Sequence, residues 1–130
     1  MTLPISKRLT VIANEINEGA FFADIGSDHA YLPCYVCLRD HKARAIAGEV
    51  AKGPYINALE TVHHYQLNEQ IDVRLGDGLQ VINHNERVDE IVIAGMGGNL
   101  ISSILLDGKV KLKQVNKLIL QPNNKERIVR

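Results

Sequence analysis

Five short apolar runs, each followed within three residues by a glycine or a proline and each set apart by a stretch of helical character, constrain this chain more than any other feature. The runs are AFFADI (residues 20–25), ARAIAGEV (43–50), IDVRL (71–75), EIVIA (90–94) and KLIL (117–120). Between them, Leu9, Ile12, Ala13 and Ile16 recur on one helical face behind a capping Ser6, with Gly19 expected to close that helix. Residues 31–38 read as a helix, Gly53-Pro54 opens another that runs to about Tyr65, and a short one follows Gly98 through Leu106. Strands alternating with helices predict βαβ units and a mostly parallel α/β sheet of Rossmann-like type. Right-handed crossovers then bring every strand's C-terminal end to one edge, where such sheets bind ligands.

Four groups from distant sequence are expected on that edge: Asp24, Glu49, Asp77 and Gly95. The first turn reads Asp24-Ile25-Gly26-Ser27-Asp28-His29, with one glycine where a dinucleotide fold wants three. Asp28 in that turn repels phosphate, so a nicotinamide cofactor is disfavoured. S-adenosyl-L-methionine carries no phosphate and has a cationic amine and sulfonium, which an acidic turn suits. Glu49, at the second strand's end, can accept from two ribose hydroxyls or can be a solvated strand-end acid. Asp77, within Gly76-Asp77-Gly78, can accept from an adenine amino group or can cap its own turn. Only their joint placement favours a ligand. Gly95-Met96-Gly97-Gly98 is expected to follow the fourth strand as a glycine-rich loop that lets a ligand approach backbone closely. His29 is either a base or a cap. His63 and His64 read as surface residues.

The chain of 130 residues suits one domain, slightly short for a complete Rossmann-like methyltransferase. No eighteen-residue apolar run and no secretory signal are visible, so no membrane partner and a cytoplasmic location are expected. Net charge is zero, but residues 109–130 hold seven basic residues against the single acid Glu126. A basic end of this kind either attracts nucleic acid or is a solvated surface. Cys34 and Cys37 form a lone C-x-x-C with no second pair at zinc-finger distance, which reads as two small buried thiols, and no metal is expected.

Six phrases in order carry a family resemblance: DIGSDHAYLP (24–33), AIAGEV (45–50), GPY (53–55), RLGDGL (74–79), IAGMGG (93–98) and LILQPN (118–123). Together, spanning Arg8 to Asn123, they resemble the bacterial tRNA (adenine-N1)-methyltransferases that modify adenine 22 of tRNA. The resemblance implies a class I methyltransferase fold, S-adenosyl-L-methionine as donor and tRNA as substrate. It implies that Asp24, Gly26, Ser27, Glu49, Asp77, Gly78 and Ala94 face the donor. It further implies that Asp28, His29, Gly95 and Met96 face the methyl group and the target base. Asp28, read as standing at the start of the next helix, is the carboxylate nominated to serve the ring as it becomes cationic. The family resembles itself in a C-terminal coiled-coil-like extension; here that extension and the last two strands are expected to be absent. Two rivals stay open: a methyltransferase of protein or small molecules, and a non-catalytic RNA-binding module with a vestigial donor pocket.

Overall fold

A computed structural model describes residues 3–123. Helix α1 (Lys7–Glu15) starts where Ser6 Oγ accepts from the Leu9 N–H at 3.1 Å. It ends at Glu15, earlier than the expected stop at Gly19. Gly19 instead makes a left-handed turn (φ 73°) ahead of β1 (Phe21–Ile25), and its N–H donates to Asp40 Oδ2 at 2.7 Å. Helix α2 (Tyr31–Arg39), β2 (Arg44–Glu49), α3 (Lys52–His64) and β3 (Ile71–Leu75) follow the predicted order. Then come β4 (Glu90–Met96), α4 (Gly98–Asp107) and β5 (Lys117–Pro122). Two 3-10 turns, Gly78–Val81 and Lys109–Gln114, had no periodic signal long enough to be read.

The five strands form one sheet in the order β3-β2-β1-β4-β5, every pair parallel. The order reverses between β1 and β4, which opens a crevice at their C-terminal ends. Both faces are covered, so the strands read as continuous apolar runs. One face packs Phe22, Ala45, Ala47, Val73 and Val92 against α1, α2 and α3. The other packs Ala23, Ile25, Ile46, Ile91 and Ile93 against Leu79, Val81, Ile101 and Ile104. Cys34 and Cys37 are free and buried in the first of these layers, and burial pushes both thiols up to about 12.

Two expected strand ends move. β4 was predicted to stop at Ala94, but it runs on to Met96, because pairing with β5 resumes at Met96 and Pro122 after an irregularity between Ala94 and Met96. Gly95 absorbs that bulge at φ 77°. β5 accordingly includes Pro122 rather than stopping before it. No helix among the described residues is long and apolar enough to cross a membrane.

Candidate functional site

The site is built where β1 and β2 end. Asp24 pairs in register with Ala47, so Asp24 and Glu49, two residues further along β2, point to the same face. Both are 5% exposed. Burial, opposed by a hydrogen bond from Ser27 and reinforced by the charge of Glu49, pushes the Asp24 carboxyl up to about 7. The Ser27 hydroxyl donates to Asp24 Oδ2 at 3.0 Å. Burial also raises Glu49, against a hydrogen bond from the Asp28 N–H. Glu49 Oε2 is buried and has no hydrogen-bond partner among the described residues. Such an acceptor costs about 1–3 kcal/mol when left unsatisfied, a cost that a ligand's donor would relieve.

Three backbone donors of the first turn are already committed. The Gly26 and Ser27 N–H groups both donate to the Gly48 carbonyl, at 2.9 and 3.1 Å, and the Asp28 N–H faces the Glu49 carboxylate. A pyrophosphate needs those groups free. A dinucleotide is thus disfavoured by the geometry of the turn as well as by its count of glycines. Asp28, His29 and Ala30 all hold left-handed backbone, at φ 50°, 29° and 58°. Ala30 is the residue flanking α2, so Asp28 lies ahead of the helix and not at its start as expected. Three consecutive left-handed residues carry the chain around a tight corner before Pro33, in the first turn of α2, commits it to helix. Asp28 is exposed, and its Oδ1 lies 3.7 Å from His29 Nε2. The His29 ring stacks on Tyr31 with centroids 5.1 Å apart.

Beside this turn a slot of about 80 Å³ is lined by Gly26, Val50, Asp77, Gly78, Met96 and Leu100, among others. It brings together four residues expected at the site and adds two that sequence reasoning missed, Val50 and Leu100, which are 71% and 53% exposed. Their apolar side chains at a rim are the signal that could have found them. Asp77 makes no side-chain capping hydrogen bond to the 3-10 turn it precedes. The loop holding it is anchored by Arg74, whose two terminal nitrogens bond Glu86 at 2.6 and 2.7 Å and one of which also reaches the Val81 carbonyl. A larger hollow of about 400 Å³, lined by Asn17, Glu18, Arg39, Asp40 and neighbours, sits by the strands' N-terminal ends, away from Asp24 and Glu49.

On the far side of the crevice, Gly95 is exposed and Met96 is half-buried, at the end of β4 rather than in a loop. Ala94, next to them, is half-buried and packs toward the layer that holds α1 and α2. The expected basic end is only partly available. Lys111 Nζ is committed to the Leu79 and Ile82 carbonyls, and Lys117 Nζ to the Glu15 carbonyl and Asn17. Lys109 and Lys113 are exposed, and Lys125, Arg127 and Arg130 lie outside the described residues. His63 and His64 sit exposed at the end of α3, as expected. No three His, Cys, Asp or Glu side chains converge as a metal site among the described residues.

The family model described as TrmK: tRNA (adenine(22)-N(1))-methyltransferase matches residues 22–130. The chain belongs to the TrmK family. It is 54% identical over 121 residues to the tRNA (adenine(22)-N(1))-methyltransferase of Bacillus subtilis (strain 168), covering 93% of this chain and 50% of that protein. A Streptococcus pneumoniae structure, a putative tRNA (m1A22) methyltransferase in complex with S-adenosyl-L-methionine, superposes with a TM-score of 0.89 at 49% identity, over 97% of this chain and 59% of that one. The Mycoplasma capricolum TrmK, in complex with S-adenosyl-homocysteine, superposes at 0.81 with 31% identity, over 96% of this chain and 56% of that one. The chain thus spans about half the length of the curated relatives it matches.

Proposed function

We propose that this chain carries the donor half of a tRNA (adenine-N1)-methyltransferase, in which a methyl group passes from S-adenosyl-L-methionine to N1 of an adenine in tRNA. The observation that carries the reading is Glu49: a buried carboxylate oxygen without a partner among the described residues, beside a buried Asp24 whose strand borders the reversal of a parallel sheet. Two vicinal ribose hydroxyls are the donors that such a carboxylate fits. The names of the family and of its donor-bound and product-bound members support the same chemistry.

S-adenosyl-L-methionine supplies an electrophilic methyl on a cationic sulfur. Glu49 would hold its ribose, and the ionised form of Asp24, with Gly26 and Ser27, its amino-acid end. The slot between Val50, Gly78, Met96 and Leu100 would take a flat adenine, with Asp77 accepting from the amino group. Ala94 and the backbone around Gly95 would border the crevice on the far side. Asp28, exposed and free to meet a base, would sit against the ring as methylation makes it cationic, with His29 beside it. Much of the rate gain would come from holding the two reactants together, an effect worth up to about 7–11 kcal/mol in favourable cases. Because N1 is hidden in a pair, the base must be splayed out. The same reading puts the protein in the cytoplasm, with tRNA as its partner. Incubating tRNA with the protein and methyl-labelled donor tests it: label enters the RNA if the reading holds, and bound donor with unlabelled RNA contradicts it.

A further inference from the structure

We propose that Gln121 reads the target base, its side-chain amide pairing with the N6 and N7 edge of adenine and leaving N1 open to the methyl group; this rests on the methyl-transfer reading above. Only two side-chain polar atoms among the described residues are buried with no hydrogen-bond partner, Glu49 Oε2 and Gln121 Oε1. The first belongs to the proposed donor site. The second needs its own account, since a buried acceptor is ordinarily satisfied.

The register supplies one. Ala94 pairs with Gln121, Val92 with Asp24, and Asp24 with Ala47. Side chains two residues apart share a face, so Glu49, Asp24, Ala94 and Gln121 form a row across the strand ends on one side of the sheet. Parallel strands lie about 4.8 Å apart, which puts Gln121 about 10 Å to the side of Asp24 and two residues further along the strand direction. Ala94, between them, is a methyl group and leaves room for a flat ring. The strand end that carries Gln121 is also tied down, because the Asn123 N–H donates to the Met96 carbonyl at 2.6 Å. Gln121 is half-buried as a residue although its oxygen is buried, and the terminal torsion of a glutamine amide is soft, so a turn of the amide presents both its polar atoms to the crevice.

An amide matches adenine through one acceptor for the N6 amino group and one donor for N7. A contact on the other edge of the base occupies the N1 lone pair and blocks the reaction. Guanine fails at the same position, because its O6 sets acceptor against acceptor. Gln121 is uncharged, so it orients the ring without competing for its protonation.

Single-turnover methylation of tRNA transcripts carrying adenine, 7-deazaadenine or guanine at the target position tests the assignment in the full-length protein. Gln121→Met should lower kcat/KM on the adenine transcript by about ten- to a hundredfold, the discrimination expected of one amide–adenine pair, with donor Kd unchanged within threefold. Removing N7 should slow the parent enzyme and slow Gln121→Met no further. Gln121→Glu keeps an acceptor for the amino group but loses the N7 donor. It should become indifferent to the 7-deaza change while still preferring adenine to guanine, and it serves if the methionine variant does not fold. An equal 7-deaza penalty in parent and variants, or full activity in Gln121→Met, overturns the assignment alone. A parent protein that binds donor but methylates no adenine overturns the function and the assignment together.

Discussion

Asp24 and Glu49 end adjacent parallel strands on one face of the sheet, both buried, with the charge of Glu49 helping to hold the Asp24 carboxyl up near 7. The fold thus sets two acids together at its open edge, where ionising either one is costly. That cost has a measurable signature in pH.

In the free protein, Asp24 holds its proton up to about 7, whereas in the unfolded chain it releases it near 3.8. The folded state therefore binds more protons between these values, and stability falls as pH rises through that window. The slope approaches 1.36 kcal/mol per pH unit for one fully coupled proton. Asp24→Asn should remove this contribution, which denaturant unfolding at pH 5 and pH 7.5 reads out. Affinity for a cationic donor should run the opposite way, rising toward pH 7 as Asp24 ionises, and should flatten in the same variant. If unfolding of the parent and of Asp24→Asn shifts identically with pH, Asp24 does not titrate in this window.

Glu49→Ala should weaken S-adenosyl-L-methionine binding by about 1–3 kcal/mol, the scale for hydrogen bonds to a charged group. Folding stability should change little, because losing the hydrogen bond from the Asp28 N–H is offset by removing a buried oxygen that has no partner among the described residues. Titration calorimetry with S-adenosyl-L-methionine and with NAD checks both this loss and the expected absence of NAD binding. Unaltered donor affinity would return Glu49 to the status of an ordinary strand-end acid.

Asp28→Asn should cut turnover about a hundredfold, as for loss of one charge-stabilising or acid–base group, and leave donor affinity within a few-fold. Asparagine tolerates the left-handed backbone that this position adopts, so the turn survives the change. Its backbone N–H toward Glu49 is also kept. Rapid-quench methylation of tRNA alongside donor titration separates the outcomes. A fall in affinity that matches the fall in rate reassigns Asp28 to the donor.

Gly26→Ala should destabilise the fold by about 1–2 kcal/mol, the cost of a side chain in left-handed backbone, here at φ 71°. The added methyl also runs into the end of the Met96 side chain across the slot. Pairing it with Met96→Ala should recover the steric part and leave the backbone part. Complete recovery in the double variant would mean that the φ angle costs nothing.

The order of elements was legible because each strand is buried on both faces and reads as one apolar run between breakers. Ser6, Pro54 and the i, i+3, i+4 spacing of Leu9, Ile12 and Ala13 placed helices for local reasons. What the sequence could not show is pairing. Whether β4 stops at Ala94 or crosses a bulge to Met96 depends on β5 alongside it, and the bulge leaves no mark beyond a glycine. Asp28 looked like a helix start because nothing in the residue types betrays three left-handed angles in a row. Val50, Leu100 and Gln121 were passed over because what sets them apart is exposure, burial and register, and not chemistry visible in the residue alone. Asp24, Glu49, Gly78 and Asp77 were legible because polar or glycine residues closing apolar runs must gather at one edge of a parallel sheet.

The most direct measurement of the central claim is mass spectrometry of nucleosides from unmodified tRNA incubated with S-adenosyl-L-methionine and the full-length protein. The expected product is 1-methyladenosine, absent when the target adenine is replaced by guanine and strongly reduced with Glu49→Ala. Methylation at another base or at the adenine amino group, or donor binding with no methylated nucleoside at all, would contradict it.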